Sequence, residues 1–208
     1  MGNSNSGIAP DGIPSPVGSA EERLHAIFKA YDVRGLVGEQ LDAPLARAIG
    51  AAFARFAVAA EGVAEVVVAR DMRPSGVDLV AAFVNGATGE GVSVVDVGLA
   101  STDVMYFASG RLAMPGAMFT ASHNPAAYNG IKMCLSAAKP IGDDSGLREI
   151  RDLAADLAMG RVAFGASRPA GTVRHMDMLD AFVDHALSFI DVSKVRPGLK
   201  IEIGRAHV

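Results

Sequence analysis

Glu65-Val66-Val67-Val68-Ala69 followed by Arg70-Asp71-Met72-Arg73-Pro74-Ser75 reads as a buried strand closed by a polar turn. The β-branched run is too short for a helix, and Pro74 with Ser75 interrupts any continuation. Working outward, Ser75 with Asp78 resembles a capping box ahead of Val80, Phe83, Val84 and Ala87, which share one helical face. Val92-Ser93-Val94-Val95-Asp96-Val97 then supplies a second strand. Upstream, Leu45, Ile49, Phe53, Phe56 and Ala57 fall on one face of a helix with Asp42 as N-cap and Pro44 in its first turn. Downstream, a short helix starts near Ser101 or Thr102, and strands are expected over Met114–Thr120 and Gly130–Leu135. A helix opens over Ser145–Arg151 and stops at Gly160. Gly165–Gly171 is loop-like, Met176–Ile190 another helix, and Leu199–Ile203 a last strand. This alternation of strands and helices implies an α/β layered fold.

The 208 residues, half of them hydrophobic, suffice to bury a core for one or two domains. The formal charge of −4, from 19 basic and 23 acidic residues in mixed order, leaves no basic run for nucleic acid or an anionic membrane. No nucleic-acid partner and no membrane are expected. Cys134 is the only cysteine, which excludes an intramolecular disulfide and a cysteine-rich zinc site and fits a reducing cytoplasm. Residues 1–20, rich in Gly, Ser, Pro and Asn, read as a disordered lead-in.

The segment Thr120-Ala121-Ser122-His123-Asn124-Pro125-Ala126-Ala127-Tyr128-Asn129-Gly130-Ile131-Lys132 carries most of the chemical information. It follows an expected strand, and a loop past a strand end is where α/β folds present ligand-binding groups. Asn124-Pro125 stiffens the loop, and Asn129-Gly130 signals a tight turn into the next strand, which returns Lys132 alongside it. A serine hydroxyl is a poor nucleophile, yet as a phosphoserine it is a phosphoryl donor when cations neutralise its oxygens. Lys132 can serve as a base if its pKa is lowered, or stay charged and bind phosphate. The plainer readings are a turn-capping hydroxyl for Ser122, a structural imidazole for His123 and a surface cation for Arg34. Arg70, Asp71 and Arg73 also look cleft-facing, but a polar turn explains them equally well, so they stay outside the expected catalytic set.

TASHNPAAYNGIKM resembles the phosphoserine loop of the α-D-phosphohexomutases, whose pattern T-[AG]-S-H-N-P-x-x-Y-N-G-x-K it matches throughout. Ala30-Tyr31-Asp32-Val33-Arg34-Gly35 is similar to that family's opening element. The resemblance covers roughly residues 24–200. It implies the family's first domain, an α/β/α layered fold with a mixed, mostly parallel sheet over residues 21–165, a connecting loop and helix over 166–196, and the start of a second domain at 197–208. It implies interconversion of hexose 1-phosphate and hexose 6-phosphate by a phosphomannomutase/phosphoglucomutase, through a phosphoserine and a hexose 1,6-bisphosphate that also serves as activator. Ser122 is then the phosphoryl carrier and, through its phosphate, a ligand of Mg2+. Lys132 is the candidate general base, His123 assists proton movement or orients the serine, and Tyr31, Arg34 and Lys132 face the hexose phosphate.

The family's Asp-rich magnesium loop, sugar-reading loop and distal phosphate clamp do not occur in this sequence. Leu199-Lys200-Ile201 starts like the family's next strand and then departs, and Ile203 to Val208 resemble a translated sequencing adapter. A shortened chain, inactive alone, is therefore expected. Phosphoglucosamine mutase is the alternative within the family, although Tyr31-Asp32-Val33-Arg34-Gly35 favours the hexose branch; a non-catalytic fragment is the alternative outside catalysis. Neither G-x-S-x-G nor S-x-x-K surrounds Ser122 as a serine hydrolase would require, and no P-loop for a kinase is present.

Overall fold

The structure, a computed structural model, describes residues 16–165 and 169–200. The chain divides into two compact units, Met1–Asp177 and Met178–Val208. In order, the first unit runs α1 (Ala20–Ile27), β1 (Val33–Leu36), α2 (Ala43–Glu61), β2 (Glu65–Arg70), α3 (Gly76–Gly89) and β3 (Ser93–Leu99). It continues through α4 (Thr102–Leu112), β4 (Gly116–Phe119), β5 (Tyr128–Leu135), β6 (Lys139–Pro140), α5 (Leu147–Ala158) and β7 (Val173–His175). Among its described residues, the second unit holds α6 (Leu179–Leu187) and a 3-10 turn at Val192–Lys194.

The sheet has the order β1-β5-β4-β2-β3-β7, with β6 on β5. β2, β3, β4 and β7 are mutually parallel, while β5 pairs antiparallel with β1, β4 and β6. One strand therefore runs against all the others, which makes the sheet mixed and mostly parallel. The period-2 alternation of strands sorts the side chains onto two faces. Val66, Val68, Phe119, Ile131 and Met133 join the core under α1, α2, α3 and α5. Val67, Ala69, Met118 and Cys134 are buried outside that core, as are Met105 and Ala108 of α4. Helices on both faces make three layers, α/β/α.

Local chemistry explains the helix boundaries. The Asp42 side chain accepts from Leu45 N–H at 2.9 Å, and Gly62 closes α2 in the left-handed conformation at φ +67. Its other oxygen takes Arg23 Nη1 at 2.7 Å, tying α1 to the start of α2. α2 is long and apolar enough to span a bilayer by composition alone, but the span is 61% buried inside the protein. Its apolar character serves the core, where it packs against α3 so closely that a Cβ on Gly86 would lie 2.0 Å from the Arg47 carbonyl oxygen.

Several sequence expectations are corrected. Ser75 stands at the N-cap of α3, but the expected capping box does not form: the residue has helical φ/ψ and its hydroxyl accepts from Asn129 Nδ2 at 2.9 Å instead of capping the helix. Asn129-Gly130 is not a turn but part of β5. Gly130 is required by close approach, since a Cβ there would meet the Val33 carbonyl oxygen at 2.2 Å and that of Thr120 at 2.9 Å. The last helix is shorter than expected, and α1, β1 and β7 were not anticipated. Most of the expected lead-in, residues 1–15, lies outside the described residues, as do 201–203 of the last expected strand. Within the described part, Val17 N–H donates to Glu39 O at 3.1 Å, and a reciprocal Ser19–Glu22 capping box starts α1.

Candidate active site

The parallel strands bring the turn after β2 and the loop after β4 to one edge of the sheet. β4 is fully buried, and Thr120 extends its pairing by donating to Gly130 O at 3.0 Å. Ala121 is still buried, after which the chain turns outward and Ser122 and His123 are exposed. Ser122 adopts φ +54, a left-handed conformation that costs a non-glycine residue about 1–2 kcal/mol. Surrounding bonds hold it there. Ser122 N–H donates to Thr120 Oγ1 at 2.9 Å, and Asn124 donates to Ala121 O through both its N–H at 3.1 Å and its Nδ2 at 2.8 Å. The Ser122 hydroxyl lies 3.3 Å from His123 Nδ1.

Arg73, in the turn after β2, occupies the inner side of this loop. Its Nη2 donates to Ser122 O at 2.8 Å and Asn124 O at 2.7 Å, and its Nη1 to Pro125 O and Tyr128 O, both at 2.9 Å. Its Nε meets Asp71 Oδ2 at 3.2 Å, while Asp71 Oδ1 accepts Arg73 N–H at 2.9 Å. Asp71 N–H in turn donates to Phe119 O at 2.9 Å, which continues the β2–β4 pairing. The polar turn that seemed to explain itself is thus the anchor of the serine loop.

A second cluster lies on β1 and β5. Asp32, 7% exposed, accepts Arg34 Nη2 at 2.7 Å and Lys132 Nζ at 3.2 Å on the same oxygen, Oδ2. The β1–β5 register sets this up by pairing Val33 with Ile131, so the residues beside them are neighbours. One carboxylate between two cations leaves net positive charge, and the buried Arg34 Nε has no hydrogen-bond partner. Such a set favours an incoming anion. Tyr31 stands at the rim, 81% exposed. No hydrogen bond joins Lys132 to Ser122: the lysine is engaged by Asp32.

Behind this cluster, burial pushes the Cys134 thiol above its ordinary range, and its bond to Ser109 Oγ at 3.4 Å only partly offsets that. Burial likewise raises the Tyr106 phenol on α4, with the Cys134 and Asp32 charges adding to the effect. Among the described residues no group of three His, Cys, Asp or Glu side chains is placed to hold a metal ion. Ser122 alone does not make the oxygen cage that magnesium needs, so the described residues by themselves do not fit that ion.

Sequence reading missed Asp32 and Arg73. Asp32 lay within a recognised motif, its acidic character two residues from Arg34 being the available signal. Arg73 looks cleft-facing in the sequence, but a polar turn explains it equally well there, and nothing local shows which carbonyls it gathers.

A three-layer α/β domain that displays a serine at a strand-end loop, and carries a lysine–carboxylate–arginine cluster at β1 and β5, belongs to the class of α/β proteins that present their functional groups at the carboxyl ends of strands. Residues 25–159 match the domain family described as phosphoglucomutase/phosphomannomutase, alpha/beta/alpha domain I, and the chain belongs to that family. It is 37% identical over 183 residues to an Escherichia coli protein named phosphomannomutase, covering 86% of this chain and 38% of that one. It is 40% identical over 182 residues to a Xanthomonas campestris protein named phosphohexose mutases, with the same coverage of each. Among solved structures, a phosphoglucomutase/phosphomannomutase family protein from Burkholderia thailandensis superimposes with a TM-score of 0.70 at 38% identity, over 86% of this chain and 38% of that chain. One from Thermus thermophilus, described as a phosphomannomutase, gives 0.67 at 26% identity, over 80% and 36%. The chain therefore spans little more than a third of the length of these relatives.

Proposed function

We infer that this chain is the phosphoserine-bearing domain of a phosphomannomutase/phosphoglucomutase, and that Ser122 carries the transferable phosphoryl group. The observation that carries this reading is the exposed Ser122 hydroxyl, held at φ +54 on a loop anchored from within by Arg73. In the proposed reaction, phosphoserine 122 gives its phosphoryl group to the free hydroxyl of a hexose phosphate. The P–O bond to Ser122 Oγ breaks and a P–O bond to the sugar forms, while the sugar hydroxyl gives up a proton and Ser122 Oγ takes one up, the reverse exchange accompanying the second transfer. The resulting hexose 1,6-bisphosphate returns its other phosphoryl group to Ser122 Oγ, releasing the isomeric monophosphate.

Lys132 either takes the sugar proton or binds phosphate, Arg34 binds anionic substrate oxygens, and His123, 3.3 Å from the serine hydroxyl, orients it or moves its proton. Magnesium belongs to this reading as an ion that would neutralise phosphoryl charge, with ligands beyond this chain. A cytoplasmic setting fits a buried cysteine without a disulfide partner.

The test is peptide mapping of the enzyme at its relatives' length after exposure to glucose 1,6-bisphosphate. Ser122 should carry the phosphate, and Ser122→Ala should lose the label and nearly all turnover. Label on a different serine defeats the assignment. The 208-residue chain by itself should show no turnover in a coupled assay with magnesium and bisphosphate.

A further inference from the structure

A guanidinium has five N–H donors in a planar fork, and Arg73 uses all five: one on Asp71 and four on backbone carbonyls of residues 122–128. The Arg73 side chain is only 11% exposed, and its bonds to Asn124 O and Tyr128 O are partly buried. Three of the four carbonyls belong to the serine loop, the fourth is that of Tyr128 where the loop enters β5, and none belongs to the helices of the core. The geometry points to Arg73 as the positioning residue of the serine loop, holding Ser122 in its left-handed conformation and its phosphoryl group in one orientation.

Two physical effects act together. The carbonyls of Ser122 and Asn124 converge on Nη2, and those of Pro125 and Tyr128 on Nη1, so the loop is pinned at both ends and cannot relax Ser122 to an ordinary φ without losing charge-assisted bonds. A phosphoserine also carries about −1.5 to −2 charges, which nearby carbonyl oxygens repel. Engaging those oxygens on a cation reduces that repulsion. Lysine cannot substitute, because its three donors on one nitrogen do not reach acceptors arrayed around a planar fork. The sheet does not depend on the clamp, since β2 pairs with β4 and β4 with β5 through their own backbone registers.

This inference rests on Ser122 as phosphoryl carrier, but its first test does not. The 208-residue chain is prepared with phosphoserine installed at 122, as wild type, Arg73→Lys and Arg73→Gln. Amide hydrogen exchange is read at residues 122, 124 and 128 and, as an internal control, at Val67, Val68 and Met118. Both variants should speed exchange of the loop amides about tenfold or more while changing the strand amides less than about twofold. The phosphorus NMR signal of residue 122 should move to that of a freely solvated phosphoserine. Unchanged loop exchange overturns the proposal, and so does equal acceleration of loop and strands, which would make Arg73 a prop of the whole fold.

In the enzyme at its relatives' length, Arg73→Lys should lower kcat on the order of 100-fold with KM changed less than about threefold, as expected for a misplaced reacting group. A raised KM at unchanged kcat also overturns it. If Ser122 takes no label from bisphosphate in the wild-type enzyme, the mutase reading fails while the exchange result still decides the clamp.

Discussion

Lys132 reaches Asp32 at 3.2 Å, and Arg34 shares the same carboxylate oxygen at 2.7 Å. Because the Lys132 Nζ is committed to this carboxylate, a substrate hydroxyl must displace or share the contact before the lysine can act on it. Lys132→Arg separates the two roles proposed for it. Arginine can still pair with Asp32 and bind phosphate, but it does not deprotonate in the physiological range. If Lys132 is the base, the variant should lose on the order of 100-fold in kcat with little change in KM, measured by coupled hexose phosphate conversion in the enzyme at its relatives' length. A near-normal kcat would reduce Lys132 to a phosphate ligand.

At the scale of elements, Asp42 has two tasks that the pattern of apolar residues showed only in part. It caps α2 through Oδ1 and neutralises Arg23 through Oδ2, and the Arg23 side chain is 9% exposed. Arg23 Nε is already buried without a partner, so loss of Asp42 leaves a buried cation almost unmet. Asp42→Ala should destabilise the protein by about 3 kcal/mol, combining a lost cap with a broken, largely buried ion pair. Asp42→Asn preserves an oxygen for the cap and should cost less, about 1–2 kcal/mol. Urea denaturation of the two variants beside wild type measures both. Equal losses would mean that the charge pair, and not the cap, carries the effect.

For the molecule as a whole, the two raised acids behind the site contribute to its alkaline loss of stability. Cys134 and Tyr106 both ionise above their ordinary values of 9.0 and 10.0 when folded. The unfolded chain therefore loses these protons first as pH rises. Their contribution to stability is complete below the unfolded values and is lost as pH climbs through them toward the folded ones. The melting temperature should hold from neutral pH to about 8.5 and decline above about 9. Cys134→Ala lowers stability at every pH by removing a buried side chain, but its decline between about pH 9 and 10 should be shallower than that of wild type. Parallel curves over the whole range would show that burial of the thiol has no part in the alkaline loss.

Periodicity alone placed the helix from Asp42, the strand beginning at Glu65, the strand around Val94 and the helix near Thr102, because these elements are decided by local burial and caps that neighbouring residues spell out. Ser122 and Lys132 were legible for a similar reason: a contiguous motif puts their chemistry on a loop and the strand that leaves it. The short edge strands β1 and β7 were not legible, since four and three residues carry too little pattern to declare themselves without a partner. Gly130 looked like a turn because Asn-Gly is a strong local signal, whereas its cause is the Val33 carbonyl oxygen on another strand. Arg73 lies 49 residues from Ser122, and Asp32 lies 100 residues from Lys132. Sequence by itself determined which residue types were available, a serine on a stiff loop and charges at strand ends. Which carbonyls a guanidinium gathers, and which two cations share one carboxylate, was decided only when the sheet set β2 beside β4 and β5 beside β1, because such bonds depend on distances across strands that no local pattern encodes.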